Sequence, residues 1–271
     1  MAIQGLYNEL MDALFSRLER AQAALLMLDY DGTLAPFQID PLQARPYPGI
    51  AEAIDAIMQT SGTRLVIISG RRAAEVKTLL GTRVHPEVCG SHGWERLRPD
   101  GALSLERAPP EALNAMMEAV HVAERAQQLG ARLERKPNSI ALHWRGLPQQ
   151  RVPQVRAAVE GGWSELCRSA PLAMLEFEGG LELRVKGRTK ANAVLTMLDE
   201  CGPDTPAAFL GDDLTDEDAF VAMRDRGLAI LVRPELRPTQ AQVWLRPPEE
   251  LMEFLRHWRD IRQAFRSGAG S

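Results

Sequence analysis

The sequence predicts an α/β protein: a doubly wound parallel sheet forming the core, with an inserted α+β domain. Three observations carry this. Short, wholly apolar runs at residues 25 to 28, 65 to 68 and 207 to 210 have the length and continuity of strands buried on both faces of a parallel sheet. Between the first two runs, residues 48 to 59 place Ile50, Ile54 and Ile57 on one helical face, completing a strand, helix and strand unit. The middle of the chain instead shows strict alternation, the pattern of half-buried strands.

In chain order, Leu6, Leu10, Leu14 and Leu18 recur every four residues and predict an amphipathic helix before the first strand. A further helix is expected after Arg71. Residues 227 to 232 and 243 to 245 read as short strands, and Leu251, Phe254, Leu255, Trp258, Ile261 and Phe265 mark a closing amphipathic helix. These segments assign residues 1 to 107 and 184 to 271 to the core.

The insert, residues 108 to 183, opens at the Pro109-Pro110 pair, which stops whatever precedes it. Residues 111 to 128 are helical in pattern. Arg132 to Lys136, a Pro137-Asn138 turn and Ser139 to Trp144 then form a hairpin. A two-residue loop sets Arg135 opposite Ile140 and Leu133 opposite Leu142 on one face, with Lys136 opposite Ser139 and Glu134 opposite Ala141 on the other. A second hairpin is expected around Glu178-Gly179-Gly180. With a three-residue loop, Phe177 meets Leu181, Leu175 meets Leu183, and Glu176 stands opposite Glu182, an unfavourable like-charge pair.

The chain's 271 residues, 45% hydrophobic and 25% charged, are ordinary globular composition. A formal net charge of -4 with no concentration of Lys and Arg excludes a nucleic-acid footprint, so any phosphate site must be built locally. No signal-peptide pattern and no long apolar run are present, and the expectation is a cytoplasmic protein without a membrane partner. Cys89, Cys167 and Cys201 are widely spaced and suggest neither a disulfide framework nor a zinc site.

Chemistry concentrates where the apolar runs end. In LLMLDYDGTLAPF, alternation lets Asp29 and Asp31 point the same way, into the crevice where α/β sheets bind ligands, while Tyr30 points back. Carboxylates about 7 Å apart repel, unless a cation sits between them or one keeps a proton for acid catalysis. A simple Asp-Gly turn is the bland alternative. Ser69-Gly70-Arg71 ends the second run with a hydroxyl and backbone N–H groups suited to a phosphoryl oxygen, although serine is also an ordinary helix cap. The third run ends in Gly211-Asp212-Asp213-Leu214-Thr215-Asp216-Glu217-Asp218, an acid density that fits Mg²⁺ ligation, with Glu217 and Asp218 serving the next helix dipole. Lys190 falls in the first turn of a helix running to about residue 198, where an anion would balance it.

Taken in order, Asp29-Tyr30-Asp31-Gly32-Thr33, Ser69-Gly70-Arg71, Lys190 and Gly211-Asp212-Asp213 with Asp216 resemble the four motifs of the haloacid-dehalogenase-like (HAD) phosphohydrolases. The segments Gly90-Ser91-His92-Gly93-Trp94-Glu95, Leu133-Glu134-Arg135-Lys136, residues 139 to 145 and residues 212 to 220 narrow the resemblance to trehalose-6-phosphate phosphatases, from about residue 22 to the C-terminal helix. Two positions depart from that pattern: Val185 replaces a usual proline and Ala191 a usual glycine.

The resemblance implies that Asp29 attacks phosphorus to form an aspartyl-phosphate and that Asp31 protonates the leaving alkoxide and then activates water. It implies that Ser69 and Lys190 hold the phosphoryl group, with Gly70 and Arg71 among the substrate-binding residues. Mg²⁺ is implied at Asp29, Asp31 through its backbone carbonyl, and Asp212, with Asp213 counted in the same set; Asp216 and His92 are supporting residues. Glu134, Lys136 and Glu182 of the insert are implied to grip the sugar. The activity implied is Mg²⁺-dependent hydrolysis of trehalose 6-phosphate under a mobile cap, with a separate trehalose-6-phosphate synthase as a functional partner. The alternatives are phosphatases of the same architecture acting on glucosyl-3-phosphoglycerate, mannosyl-3-phosphoglycerate or sucrose 6-phosphate, and a non-catalytic sugar-phosphate sensor, which would be expected to lack Asp29 or Asp31.

Overall fold

The computed structural model describes residues 2–60, 62–136, 138–177 and 179–268. The elements run α1 (Ala2–Arg20), β1 (Ala24–Leu28), α2 (Ile50–Gln59), β2 (Thr63–Ile68), α3 (Ala73–Leu80), β3 (Glu87–Gly90), β4 (Glu95–Leu97) and β5 (Leu103–Leu105). Then come α4 (Pro110–Val122), α5 (Glu124–Gln128), β6 (Arg132–Lys136), β7 (Ser139–His143), α6 (Val152–Ser169), β8 (Leu172–Phe177) and β9 (Gly180–Val185). The chain closes with α7 (Lys190–Cys201), β10 (Ala207–Gly211), α8 (Glu217–Met223), β11 (Leu228–Val232), β12 (Val243–Leu245) and α9 (Glu249–Gly268). Two units result, Met1–Ser104 with Thr189–Ser271, and Leu105–Arg188. The limits expected from the sequence, 108 and 183, both fall inside the second.

The first unit is an eight-stranded sheet in the order β12-β11-β10-β1-β2-β3-β4-β5. β1 is central and parallel to both neighbours, with Leu28 opposite Leu210 and Ile67. Strand alternation divides the apolar side chains into two layers. Leu26, Leu28, Leu65, Ile67, Leu210 and Ile230 pack with Leu14 and Leu18 of α1, Ile54 of α2, Val76 of α3 and Trp258 of α9. Leu25, Met27, Val66, Ile68, Phe209 and Leu231 pack with Val194 of α7 and Phe220 of α8. Each such leucine is buried, so truncation to alanine in these layers costs about 2 to 5 kcal/mol. The three apolar runs thus become adjacent strands, and their parallel register delivers Asp29, Ser69 and Asp212 to one edge of the sheet.

β3, β4 and β5 were not expected from sequence. They have four, three and three residues, β4 runs antiparallel to β3, and β5 is exposed throughout, so no periodic apolar signal marks them. α6 was also unanticipated, although Val155, Val159, Trp163 and Leu166 form its buried stripe, because Pro153 and Gly161-Gly162 interrupt the helical pattern.

The second unit holds a four-stranded antiparallel sheet in the order β6-β7-β9-β8. The β6–β7 register is the expected one, with Leu133 opposite Leu142, Glu134 opposite Ala141 and Lys136 opposite Ser139; Pro137 of the turn lies outside the described residues. The β8–β9 register differs by one residue. Phe177 pairs with Gly180, Glu176 with Leu181 and Leu175 with Glu182, so two residues rather than three separate the strands. Gly180 belongs to the strand because a Cβ there would stand 2.0 Å from the Phe177 ring and 2.6 Å from the Leu142 carbonyl oxygen. A slip of one residue exchanges faces. Glu176 therefore meets Arg156 of α6, at 3.0 Å, and the like-charge pair with Glu182 does not form. Among the described residues, no helix is long and apolar enough to cross a membrane.

Candidate active site

Past the end of β1 the chain turns sharply. Gly32 N–H donates to the Ala35 carbonyl at 2.7 Å, and Leu34 and Ala35 N–H donate to that of Tyr30. Tyr30 is buried and its hydroxyl donates to the Ala44 carbonyl at 2.8 Å. Gly32 sits at φ +83°, and a Cβ there would lie 2.0 Å from Asp212 Oδ2. Only glycine allows this turn to pass so close to the neighbouring carboxylate.

Asp29 and Lys190 are both buried. Lys190 is the first residue of α7, whose N-terminus is fixed by a reciprocal pair between Thr189 and Asn192. Its Nζ donates to Asp29 Oδ1 at 2.6 Å and to Asp216 Oδ1 at 2.7 Å. Burial pushes the Asp29 carboxyl up to about 7, against the opposing pull of Lys190. Burial alone would lower Lys190, but Asp216 and Asp29 outweigh it and hold the ammonium charged. Asp212 is raised well above the carboxylate range by burial and then by Asp29 and Asp216.

Carboxylate oxygens of Asp29, Asp212 and Asp216 lie within 4.8 Å of one another. Three buried carboxylates against one ammonium leave uncompensated negative charge, the condition that a hard divalent cation relieves. Within the trio the roles divide. Asp216 Oδ1 takes Lys190 and its Oδ2 accepts the N–H groups of Asp212 and Asp213 at 3.1 Å, so both oxygens are engaged. Asp212 Oδ1 is buried with no hydrogen-bond partner among the described residues. An orphaned carboxylate oxygen beside Asp29 is the donor that a metal would complete, and the residues fit Mg²⁺. Asp213, expected in the metal set, instead caps the following turn by accepting from Leu214 N–H at 2.7 Å, and Asp216 replaces it in the cluster.

Asp31 and Arg71 form a two-pronged pair, Nε to Oδ2 and Nη2 to Oδ1, each at 2.6 Å. Arg71, expected to face substrate, thus occupies both oxygens of the second aspartate. Ser69 is buried at the end of β2, its Oγ accepting from Arg71 N–H at 3.1 Å. Its loop is held from β3 outward: Ser91 N–H donates to the Arg71 carbonyl at 2.7 Å and His92 N–H to the Ser69 carbonyl at 2.9 Å. Ser91 and His92 both adopt positive φ, 50° and 58°, a costly conformation kept because it presents these donors. The His92 ring covers Gly70, where a Cβ would stand 2.8 Å from the imidazole. Glu95, not singled out from sequence, accepts from Ala73 N–H at 2.8 Å and so caps α3.

In the second unit, Glu134, Lys136 and Glu182 share one face. Lys136 Nζ lies 3.8 Å from Glu134 Oε1 and 3.9 Å from Glu182 Oε1. His143 joins them, its Nε2 2.7 Å from Glu134 Oε2. Burial would raise Glu134, but the His143 hydrogen bond, Lys136 and Arg132 hold it down to about 2. The alternation that groups Glu134 with Lys136 also puts His143 on this face and could have identified it; Glu95 has no comparable signal.

The trehalose-phosphatase family model matches residues 27–246. The trehalose-phosphate phosphatase of Mycobacterium bovis is 33% identical over 264 residues, covering 90% of this chain and 63% of that protein. An uncharacterised glycosyl hydrolase of Mycobacterium tuberculosis is 33% identical over 229 residues, covering 80% of this chain and 16% of that one. The chain therefore spans less than two thirds of the curated relatives it matches. The C-terminal domain of a C. albicans trehalose-6-phosphate phosphatase superposes with a TM-score of 0.78 at 20% identity, covering 93% of this chain and 96% of that one, which shows a common fold. The match across both ends of the sheet and the whole insert means that the chain belongs to the trehalose-phosphatase family of HAD-like hydrolases.

Proposed function

We propose that the protein hydrolyses trehalose 6-phosphate to trehalose and phosphate through an aspartyl-phosphate on Asp29. The observation that carries this reading is the buried Asp29, bound by Lys190 and clustered with Asp212, whose Oδ1 has no hydrogen-bond partner among the described residues, at the ends of adjacent parallel strands. Family membership supports trehalose 6-phosphate as the substrate.

In the first step an Asp29 oxygen attacks phosphorus, the bond from phosphorus to the sugar oxygen breaks, and Asp31 gives that oxygen its proton. In the second, Asp31 takes a proton from water as it attacks phosphorus, and the Asp29 carboxylate leaves. Lys190 and Ser69 neutralise and orient the phosphoryl oxygens. An Asp31 oxygen that carries a proton must give up a bond from Arg71, so the Asp31–Arg71 pair opens as the reaction proceeds. Asp29 and Asp212 would hold a Mg²⁺ ion, which would supply positive charge to the transferring phosphoryl group when bound. Glu134, Lys136 and Glu182 recognise sugar hydroxyls, the carboxylates accepting and the lysine donating.

The test is phosphate release from trehalose 6-phosphate, sucrose 6-phosphate, glucosyl-3-phosphoglycerate and mannosyl-3-phosphoglycerate, each with Mg²⁺ and with EDTA. Trehalose 6-phosphate is expected to be turned over fastest, and only with the metal. Faster turnover of another ester would sink the substrate assignment, and full activity of Asp29→Asn would sink the covalent mechanism.

A further inference from the structure

His143 has no part in the chemistry above, yet it is bound into the face assigned to sugar recognition. In the β6–β7 register Arg132 stands opposite His143 and Glu134 opposite Ala141, so His143 and Glu134 are diagonal neighbours on one side of the sheet. The two side chains are 20% and 22% exposed, open enough to meet a ligand and enclosed enough to be held. The His143 ring is itself fixed, edge-on to Phe177 with centroids 5.3 Å apart and planes at 65°.

We infer that His143 is a positioning residue for sugar recognition: it fixes the Glu134 carboxylate in one orientation beside Lys136. The inference rests on the reading of Glu134 as a sugar ligand. An ionised carboxylate only accepts hydrogen bonds, so at 2.7 Å the Nε2 of His143 is the protonated nitrogen and donates to Oε2. Oε1 is turned toward Lys136. A carboxylate has about four lone-pair sites, so this arrangement leaves acceptors for two hydroxyls while removing the rotation that would blur their direction. Among the described residues, Arg132 and Lys136, each 3.8 Å from Glu134, also pair with this carboxylate, and neither offers a short hydrogen bond in place of His143.

Steady-state kinetics on the Mg²⁺-loaded full chain test this, with trehalose 6-phosphate and with p-nitrophenyl phosphate, which has no sugar. His143→Leu is expected to raise KM for trehalose 6-phosphate ~10-fold, the loss of one charge-assisted hydrogen bond. Its kcat, and turnover of p-nitrophenyl phosphate, should stay within about twofold of the parent. His143→Gln, whose amide nitrogen reaches about as far as Nε2, should restore KM to within about threefold. If the leucine variant does not fold, His143→Asn, whose amide stops short of Glu134, takes its place with the same expectation. An unchanged KM in His143→Leu alongside a raised KM in Glu134→Gln overturns the positioning role and leaves Glu134 as ligand. Unchanged KM in both overturns the sugar reading itself. An equal loss of kcat on both esters makes His143 merely structural and also overturns the inference.

Discussion

Lys190 Nζ lies 2.6 Å from Asp29 Oδ1, a buried pair joining residues 161 positions apart in sequence. The ammonium also lies 2.7 Å from Asp216 Oδ1, so it neutralises two members of the Asp29, Asp212 and Asp216 cluster. Removing one partner of a buried pair costs about 3 to 5 kcal/mol because the remaining charge is stranded. Lys190→Met is therefore expected to lower the melting temperature of the metal-free protein by ~10 °C in calorimetry. It should also lower kcat at least ~100-fold, the scale for losing one donor to a developing anion. A variant that melts normally would show that the carboxylates tolerate each other without the lysine.

Arg71 is expected to govern kcat rather than binding. Its guanidinium occupies both oxygens of Asp31 and is buried, so the second aspartate has one fixed position in the resting protein. Arg71→Lys keeps the charge but cannot reproduce two parallel bonds from a planar fork. Steady-state phosphate release should show kcat reduced by ~10- to 100-fold with KM changed by less than about threefold. A loss confined to KM would place Arg71 on the substrate instead.

The strand-end residues of the candidate site were legible because each follows a strong local pattern: Asp29, Ser69 and Asp212 stand directly after apolar runs, and the fold brings those runs side by side. What the sequence concealed depends on contacts between distant segments. Asp213 and Asp216 differ only in which backbone donors and which lysine they meet, information absent from an acidic string. Arg71 could have faced substrate, and its pairing with Asp31 across 40 residues emerges only in three dimensions. The register of the second hairpin turned on whether Gly180 closes the turn or enters the strand, and packing against Phe177 and β7 decides it.

Acid should weaken the second unit through Glu134. Its folded-state pKa of about 2 lies below the usual 4.5, so folding is favoured by the ionised form. That contribution, on the order of 3 kcal/mol, is complete above about pH 4.5 and is lost as pH falls toward 2. Thermal melts between pH 2 and 6 should show stability dropping on the acid side, and Glu134→Gln should flatten that drop while leaving the neutral-pH limb parallel to the parent's. An acid limb unchanged by the substitution would mean that His143, Lys136 and Arg132 do not hold this carboxylate in solution.

Gly32→Ala addresses the geometry of the proposed metal site without replacing a charged residue. The substitution meets two obstacles at once: φ +83° disfavours any L side chain, and the new Cβ would stand 2.0 Å from Asp212 Oδ2 and 2.8 Å from the Phe37 ring. The backbone term alone costs about 1 to 2 kcal/mol, and relief of the clash must move the turn, Asp212 or both. Because Asp212 carries the oxygen left without a hydrogen-bond partner, its displacement should weaken cation binding before it unfolds the sheet. Titration of the purified variant with Mg²⁺, read by calorimetry, is expected to give at least ~10-fold weaker affinity, with far-ultraviolet circular dichroism unchanged. Parent-like affinity would show that Asp212 does not ligate the metal, and would move the ligand set toward Asp29 and Asp216.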